Sequence, residues 1–471
     1  MTDAQQLADG LAPASAAPHR RLWSVLLTTF VAVAVAVAFA DSSIVVLALP
    51  ELYAQFDTTI EGIAWVITSY NVVVAIAALA LVFLVHRLRA HIVLAAGLVV
   101  FLGASIACAV ADSLTFLIVA RAIQGLGAAL LLAGALPVLG ALTGSSLRGT
   151  VVWALAGTFG ASLGPALGGA LTQAFDWRAI FVAQAPVAGA ALLATYGTHV
   201  KAILDERPAA PLWRTVPANL CLALVFGALV GTLFLGVLLV INAFGYSPIA
   251  GAGIVSVIPA ATLAARPIAT RLPGLLAVTG GALLLAGGLV GLAFLPSSDL
   301  VYSLASFALC GFGIGLSVPS LTRAALSEEV GLTRSGTFTI GVRHLGLVLA
   351  LVLVAPILAN DLTEAGDVAK FNATAVIIDG QIPITKKIPL ALDMRDVFDA
   401  AQKGEIPDFT GPFDKQGAQT DERVATLRDD LVSAIEDAIT RGFRTAFLVS
   451  ALLAALAIVP ALVFRRRVVL P

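Results

Sequence analysis

Apolar residues in this chain gather into long unbroken runs. Runs of about 20 apolar residues, the length that crosses a bilayer as a helix, fall near 22–49, 62–85, 92–111, 114–142, 149–172, 178–197, 217–242, 247–268, 275–295, 299–322, 336–359 and 441–464. The pattern predicts an all-α polytopic membrane protein with twelve spans. The polar residues between the runs alternate in sign. Every second connection is basic: His86, Arg87 and Arg89; Arg148; Lys201, Arg207 and Arg214; Arg271; Arg323 and Arg334; and Arg465, Arg466 and Arg467. The others carry acids: Glu51, Asp57 and Glu61; Asp112; Asp176; Asp299. The positive-inside rule then predicts a multi-pass cell-membrane protein with both termini in the cytoplasm.

Composition agrees. Of 471 residues, 59% are hydrophobic and 12% charged, and mean hydropathy is +0.98; a soluble domain carries about 25% charged residues. A net charge of −1 gives no reason to expect a nucleic-acid partner. Cys108, Cys221 and Cys310 sit in apolar runs without metal-ligand spacing, so neither metal nor cofactor is expected. No phosphate-binding loop or nucleophile elbow points to an enzyme. The first run is too long for a cleaved signal peptide.

The two halves echo each other. Ala122–Leu130 reads AIQGLGAAL and Ala308–Leu316 reads ALCGFGIGL, in the fourth span of each six. Two pseudo-symmetric six-helix bundles around a central path would follow. The expected organisation is a disordered tail over 1–21, a bundle over 22–197, a cytoplasmic linker over 198–216, spans seven to eleven over 217–359, an external insertion over 360–440, the last span over 441–464 and a tail over 465–471.

The fifth span is unusually rich in glycine. Gly157, Gly160, Gly164, Gly168 and Gly169 recur at steps that place them along one helical face, and Pro165 removes a helix hydrogen bond. In lipid such a stripe lets another helix approach closely. The expectation is a bendable gating helix whose Gly164 and Gly168 face a span of the second half.

Polar groups inside spans are functional candidates. Asp41 is the one acid placed well inside a span, ~12 Å below its outer end at ~1.5 Å per residue. Desolvation disfavours a bare carboxylate, which suits an acid at that depth to take up and release a proton. If the helix instead ends early, Asp41 merely caps it. Tyr70 and Asn71 in the second span would add hydrogen-bonding groups to the same cavity. Arg121 and Gln124 share a face of the fourth span, so Arg121 either tunes a nearby acid or snorkels to an interface. Arg343 and His344, about two turns into the eleventh span, are further cavity candidates.

These stretches resemble the major facilitator superfamily, in its multidrug proton-antiporter branch. DSSIVVLALP matches the first-span motif, with Asp41 on the embedded acid. RAIQGLGAAL matches the fourth-span motif, with Arg121 on its arginine. GTFGASLGPALGG followed by DWRAIFVAQAP matches the fifth-span antiporter motif and the start of the sixth; INAFGYSPIAGAG and VRHLG match the second half more loosely. The resemblance implies export of an amphipathic small molecule by alternating access, coupled to protons, from a monomer surrounded by membrane lipids. Two features depart from the family. The loop after the second span reads ALVFLVHRLRAHIVL, where His86 and Arg89 replace an acid and a glycine of the usual cytoplasmic lock, and the insertion over 360–440 is long.

In that insertion acids outnumber bases about twofold. Val424, Leu427, Leu431 and Ile435 recur at helical spacing, so 421–440 reads as an amphipathic helix feeding the last span. Leu362–Thr374 would extend the eleventh span and Met394–Gln402 form a short helix, with IDGQIPITKKIPLALD broken by prolines and GEIPDFTGPFDKQG a loop. Val368, Phe371, Val376, Ile377, Ile382 and Ile384 are the expected partners of the amphipathic face. A helical hairpin with its own small core would guide a lipid-like cargo or dock an external partner. Three functions stay open: an exporter of drug-like molecules, an exporter of lipid or an envelope precursor, and a non-transporting receptor or scaffold.

Overall fold

The computed structural model describes residues 18–84, 87–196, 210–295, 299–380, 382–400 and 410–463. The tail before Pro18, His86 of the degenerate loop, most of the linker, 401–409 of the insertion and the final segment lie outside the described residues. Among the described residues, eleven helices are long and apolar enough to cross a membrane, from Leu22–Phe56 to Glu422–Leu462. A twelfth span, the fifth in order, is a pair, Ser146–Ala161 and Leu163–Ala174, meeting at a 45° bend.

Local chemistry sets the breaks. Pro165 has no N–H to give the carbonyl of Ala161, and the fifth span bends there. The released carbonyl accepts from Ser43 Oγ of the first span at 3.3 Å. The first span tightens into a 3-10 turn over Val45–Ala48 before Leu49–Phe56, where Pro50 cannot donate back along the helix. Thr59, Ser113 and Asp299 cap the second, fourth and tenth spans through their side chains, supplying acceptors to otherwise unpaired backbone N–H groups.

Spans one to six pack as one bundle and seven to twelve as another. In the first, span three lies on four and six, and one on five. In the second, nine lies on ten and twelve, and seven on eleven. The bundles meet along two seams, the second span against the eleventh and the fifth against the eighth.

The eleventh span does not stop at the expected boundary. It runs unbroken from Leu332 to Asp379, 48 residues, or ~70 Å at ~1.5 Å per residue, against a hydrocarbon core of ~30 Å. Glu422–Gly442 descends beside it to Arg444–Leu456. Val424, Leu427, Leu431 and Ile435 are buried in this hairpin, as the spacing predicts. Their partners are those expected only in part, at Ile377 and Ile382, which are buried. Leu362, Ala365, Ala369, Ala373 and Ile377 form the buried stripe, while Val368, Phe371 and Ile384 are exposed. Small alanines let the two helices approach, and the larger residues fall on the other face. The proline-containing stretch also folds as helix, Ile384–Ala400 with Pro389 inside, and Thr410–Lys415 is a short helix where a loop was expected. Leu390, Met394 and Phe413 bury the tip, and Lys386 pairs with Asp421 at 2.9 Å.

Candidate functional site

Asp41 is fully buried in mid-span, so it caps nothing. Its Oδ2 forms an ion pair with Arg121 Nη1, and its Oδ1 accepts from Gln184 Nε2 at 2.8 Å. Arg121 Nη1 also donates to Gln124 Oε1 at 2.6 Å, and its Nε donates to the carbonyl of Val66 at 3.0 Å. Gln124 Nε2 donates onward to Gln184 Oε1 at 2.6 Å and to Ser105 Oγ at 2.9 Å. Spans one, two, three, four and six thus each supply a group to one sealed polar cluster. The Arg121 guanidinium lies 4.5 Å from the Tyr70 ring centroid and 5.6 Å from that of Phe181. Its Nη2 is buried without a partner.

Energetically this is a poised arrangement. Charges this deep hold together only because each offsets the desolvation of the other; removing one side of such a pair costs ~3–5 kcal/mol. The neighbours of Asp41 along its helix are also tied. Tyr70 Oη donates to the carbonyl of Ala38 at 2.8 Å, and Ser42 Oγ donates to Asn71 Oδ1 at 2.9 Å.

A cavity of about 320 Å³ lies between the bundles. Phe39, Trp153, Gly157 and Pro165 line it from the first bundle, and Phe226, Thr262, Arg266, Arg323 and Arg343 from the second. Of the residues expected at a cavity, Arg343 is on its wall, whereas Tyr70, Asn71, Gln124 and His344 lie behind it. Tyr70 and Gln124 belong instead to the sealed cluster around Asp41. His344 is buried, with Nδ1 2.8 Å from the carbonyl of Ile340. Phe39 connects the two regions. Its ring lies 4.5 Å from the Arg343 guanidinium and packs edge-on against Trp153 at 5.2 Å, two residues before Asp41 on the same helix.

The glycine stripe of the fifth span faces differently from expectation. A Cβ on Gly160 would lie 1.9 Å from the carbonyl oxygen of Ala36, on Gly164 2.1 Å from Ser43 Oγ, and on Gly168 2.3 Å from the carbonyl oxygen of Ile44. These glycines dock the fifth span on the first, inside one bundle. Gly169 alone of the stripe reaches the second half, where its Cβ would meet that of Ala252 at 2.1 Å. One extra residue of spacing rotates Gly169 by ~100° around the helix, enough to turn it to another neighbour.

Gln184 and Ser105 complete the cluster but were not singled out from the sequence. Their signal was a polar side chain in an apolar span, the same that marked Asp41, without a charge to draw attention to it.

Among the described residues, up to twelve candidate spans in two bundles enclose a central cavity with a buried ion pair beside it, the layout of a membrane transporter. The chain belongs to the Major Facilitator Superfamily, whose family model matches residues 31–357. Among curated proteins it is similar to the multidrug resistance protein Stp of Mycobacterium tuberculosis, 26% identical over 401 residues, covering 67% of this chain and 74% of that one. It is also similar to the methylenomycin A resistance protein of Bacillus subtilis, 32% identical over 162 residues, 34% of this chain and 35% of the other. The drug efflux pump JefA of Mycobacterium tuberculosis is 30% identical over 181 residues, 38% and 35% of the two chains. A solved bacterial homolog to the human lysosomal transporter Spinster, in an inward-facing and unoccupied conformation, shares the fold with a TM-score of 0.64 at 14% identity over 96% of this chain and 98% of that one. A D-xylose–proton symporter shares it with a TM-score of 0.58 at 15% identity, over 70% and 89%.

Proposed function

We propose that this protein exports amphipathic or drug-like small molecules by alternating access, driven by protons that bind Asp41. The observation that carries the reading is the sealed Asp41–Arg121 pair with its glutamine relay, Gln184 and Gln124. Protonation of Asp41 releases Arg121 from the first span. That span also carries Phe39 on the cavity wall and the docking surface of the glycine stripe, so a charge change at Asp41 bears on both cavity and gate. The relatives named as drug resistance and efflux proteins support the direction of transport. The cavity reaches the end of the bundles where Thr270 and Arg323 finish the eighth and tenth spans. Charge asymmetry supports a cytoplasmic position for that end and for both termini, in keeping with a monomeric carrier open to the inside of the cell membrane.

A second reading is export of lipid or an envelope precursor, with the hairpin as an external guide or docking site for a partner. A groove of about 630 Å³ in the hairpin, walled by Ile377, Ile384, Ile388 and Met394, favours it. No comparable observation supports a non-transporting receptor.

Everted membrane vesicles test the main reading. Their lumen corresponds to the outside, so an acid lumen should drive accumulation of an exported amphipathic dye, tried in an anionic and a cationic form, and a protonophore should collapse it. Accumulation indifferent to the protonophore would count against proton coupling.

A further inference from the structure

The central cavity carries a charge pattern that the proton site does not account for. Its walls are largely apolar, yet three arginines reach it and, among the described residues, no carboxylate lines it. Arg266 and Arg323 stand near the ends of their spans, where the positive-inside bias explains a cation without any ligand. Arg343 has no such explanation. It lies ~16 Å into the eleventh span at ~1.5 Å per residue. Its guanidinium is wedged between the rings of Phe226, at 3.8 Å, and Phe39, at 4.5 Å. Its Nε is buried without a hydrogen-bond partner, and among the described residues no acid pairs with it. Arg121 is the contrast: fully buried, it is offset by Asp41, Gln124 and the Val66 carbonyl. Stacking on aromatic rings offsets only part of the cost of desolvating a cation. A guanidinium held this way on a cavity wall is suited to a partner that arrives from outside the chain.

We infer that the cavity takes an amphipathic anion, with an oxyanion head (carboxylate, sulfonate or phosphate) on Arg343 and an apolar body along Phe226, Leu229 and Ile314. Arg266 and Arg323 draw the head in from the open end. The planar guanidinium fork matches an oxyanion better than it matches any neutral polar group. The inference rests on the export reading for the direction of travel only; binding of an anion is independent of proton coupling.

Two probes with one fluorophore and opposite fixed charges, dansyl-taurine and dansyl-choline, test it by equilibrium binding to the full-length protein in phosphatidylcholine nanodiscs. The wild type should prefer dansyl-taurine by on the order of 10- to 100-fold, the worth of one charge-assisted hydrogen bond. Arg343→Gln should erase the preference, and Arg343→Lys, which keeps the charge but loses the fork, should retain part of it. The lysine variant decides the matter if the glutamine variant does not fold. Equal or tighter binding of dansyl-choline, or a preference unmoved by both substitutions, overturns the inference. Anion preference in a protein whose transport ignores the proton gradient would strike the export reading and leave this one standing.

Discussion

At the scale of single residues, the site depends on compensation. Arg121 and Asp41 are each tolerable at that depth because of the other. Arg121→Ala should therefore destabilise the protein by ~3–5 kcal/mol, and adding Asp41→Ala should recover much of the loss. Thermal unfolding of the two single variants and the double variant in detergent measures this coupling, and simple additivity would show that the pair is not a pair. Gln184→Leu should cost ~1–3 kcal/mol by leaving Asp41 Oδ1 and Gln124 Nε2 short of partners. Asp41 and Arg121 were legible in the sequence because charge in an apolar run is conspicuous, and Gln124 because it shares a helical face with Arg121. Gln184 was not, since one neutral amide in FVAQAP looks like any tolerated polar residue until the third dimension brings it to Asp41. Arg343 was legible as a cavity candidate, but its want of an acidic partner was not.

At the scale of elements, the first and fifth spans act as one unit. Glycines bring their backbones together, and Ser43 takes up the carbonyl that Pro165 frees. Gly160→Leu or Gly164→Leu should separate the two helices and abolish both transport and a sharp melting transition. Gly280→Leu, at a position where a Cβ meets nothing within 4 Å, should leave both unchanged in the same assays. The sequence announced that this face packs tightly, because glycine at helical spacing has few other uses in lipid. It did not announce the partner. A small-residue face fits any smooth neighbour, and only the arrangement of the bundle selects the first span over the eighth. Similarly, helical spacing marked one side of the hairpin, but its alanine-lined counterpart was hidden by larger residues on the opposite face, Phe371 among them.

At the scale of the whole molecule, two bundles surround a cavity and one elongated hairpin stands beyond them. Apolar run length made the spans readable, and the continuous helix past 359 was harder to see because its outer part is polar. Lys386 pins the tip to Asp421, whose carboxyl is held below its usual value of 3.8 chiefly by the hydrogen bond from Lys386. A depressed carboxyl stabilises the fold above its unfolded value, and the contribution is lost as pH falls through the folded one. Amide exchange over 382–400 should therefore be slow at neutral pH and, after correction for intrinsic rates, faster below pH 3.8; Lys386→Met should give the faster exchange already at neutral pH. Asp41 is the proposed proton site that couples the bundles to export. In everted vesicles, Asp41→Asn should preserve substrate exchange between equal concentrations on the two sides, because the fold and cavity remain. It should lower accumulation driven by an acid lumen by about tenfold or more, the scale of ~1.4 kcal/mol or more of lost coupling. Accumulation by Asp41→Asn at the wild-type level would contradict the account.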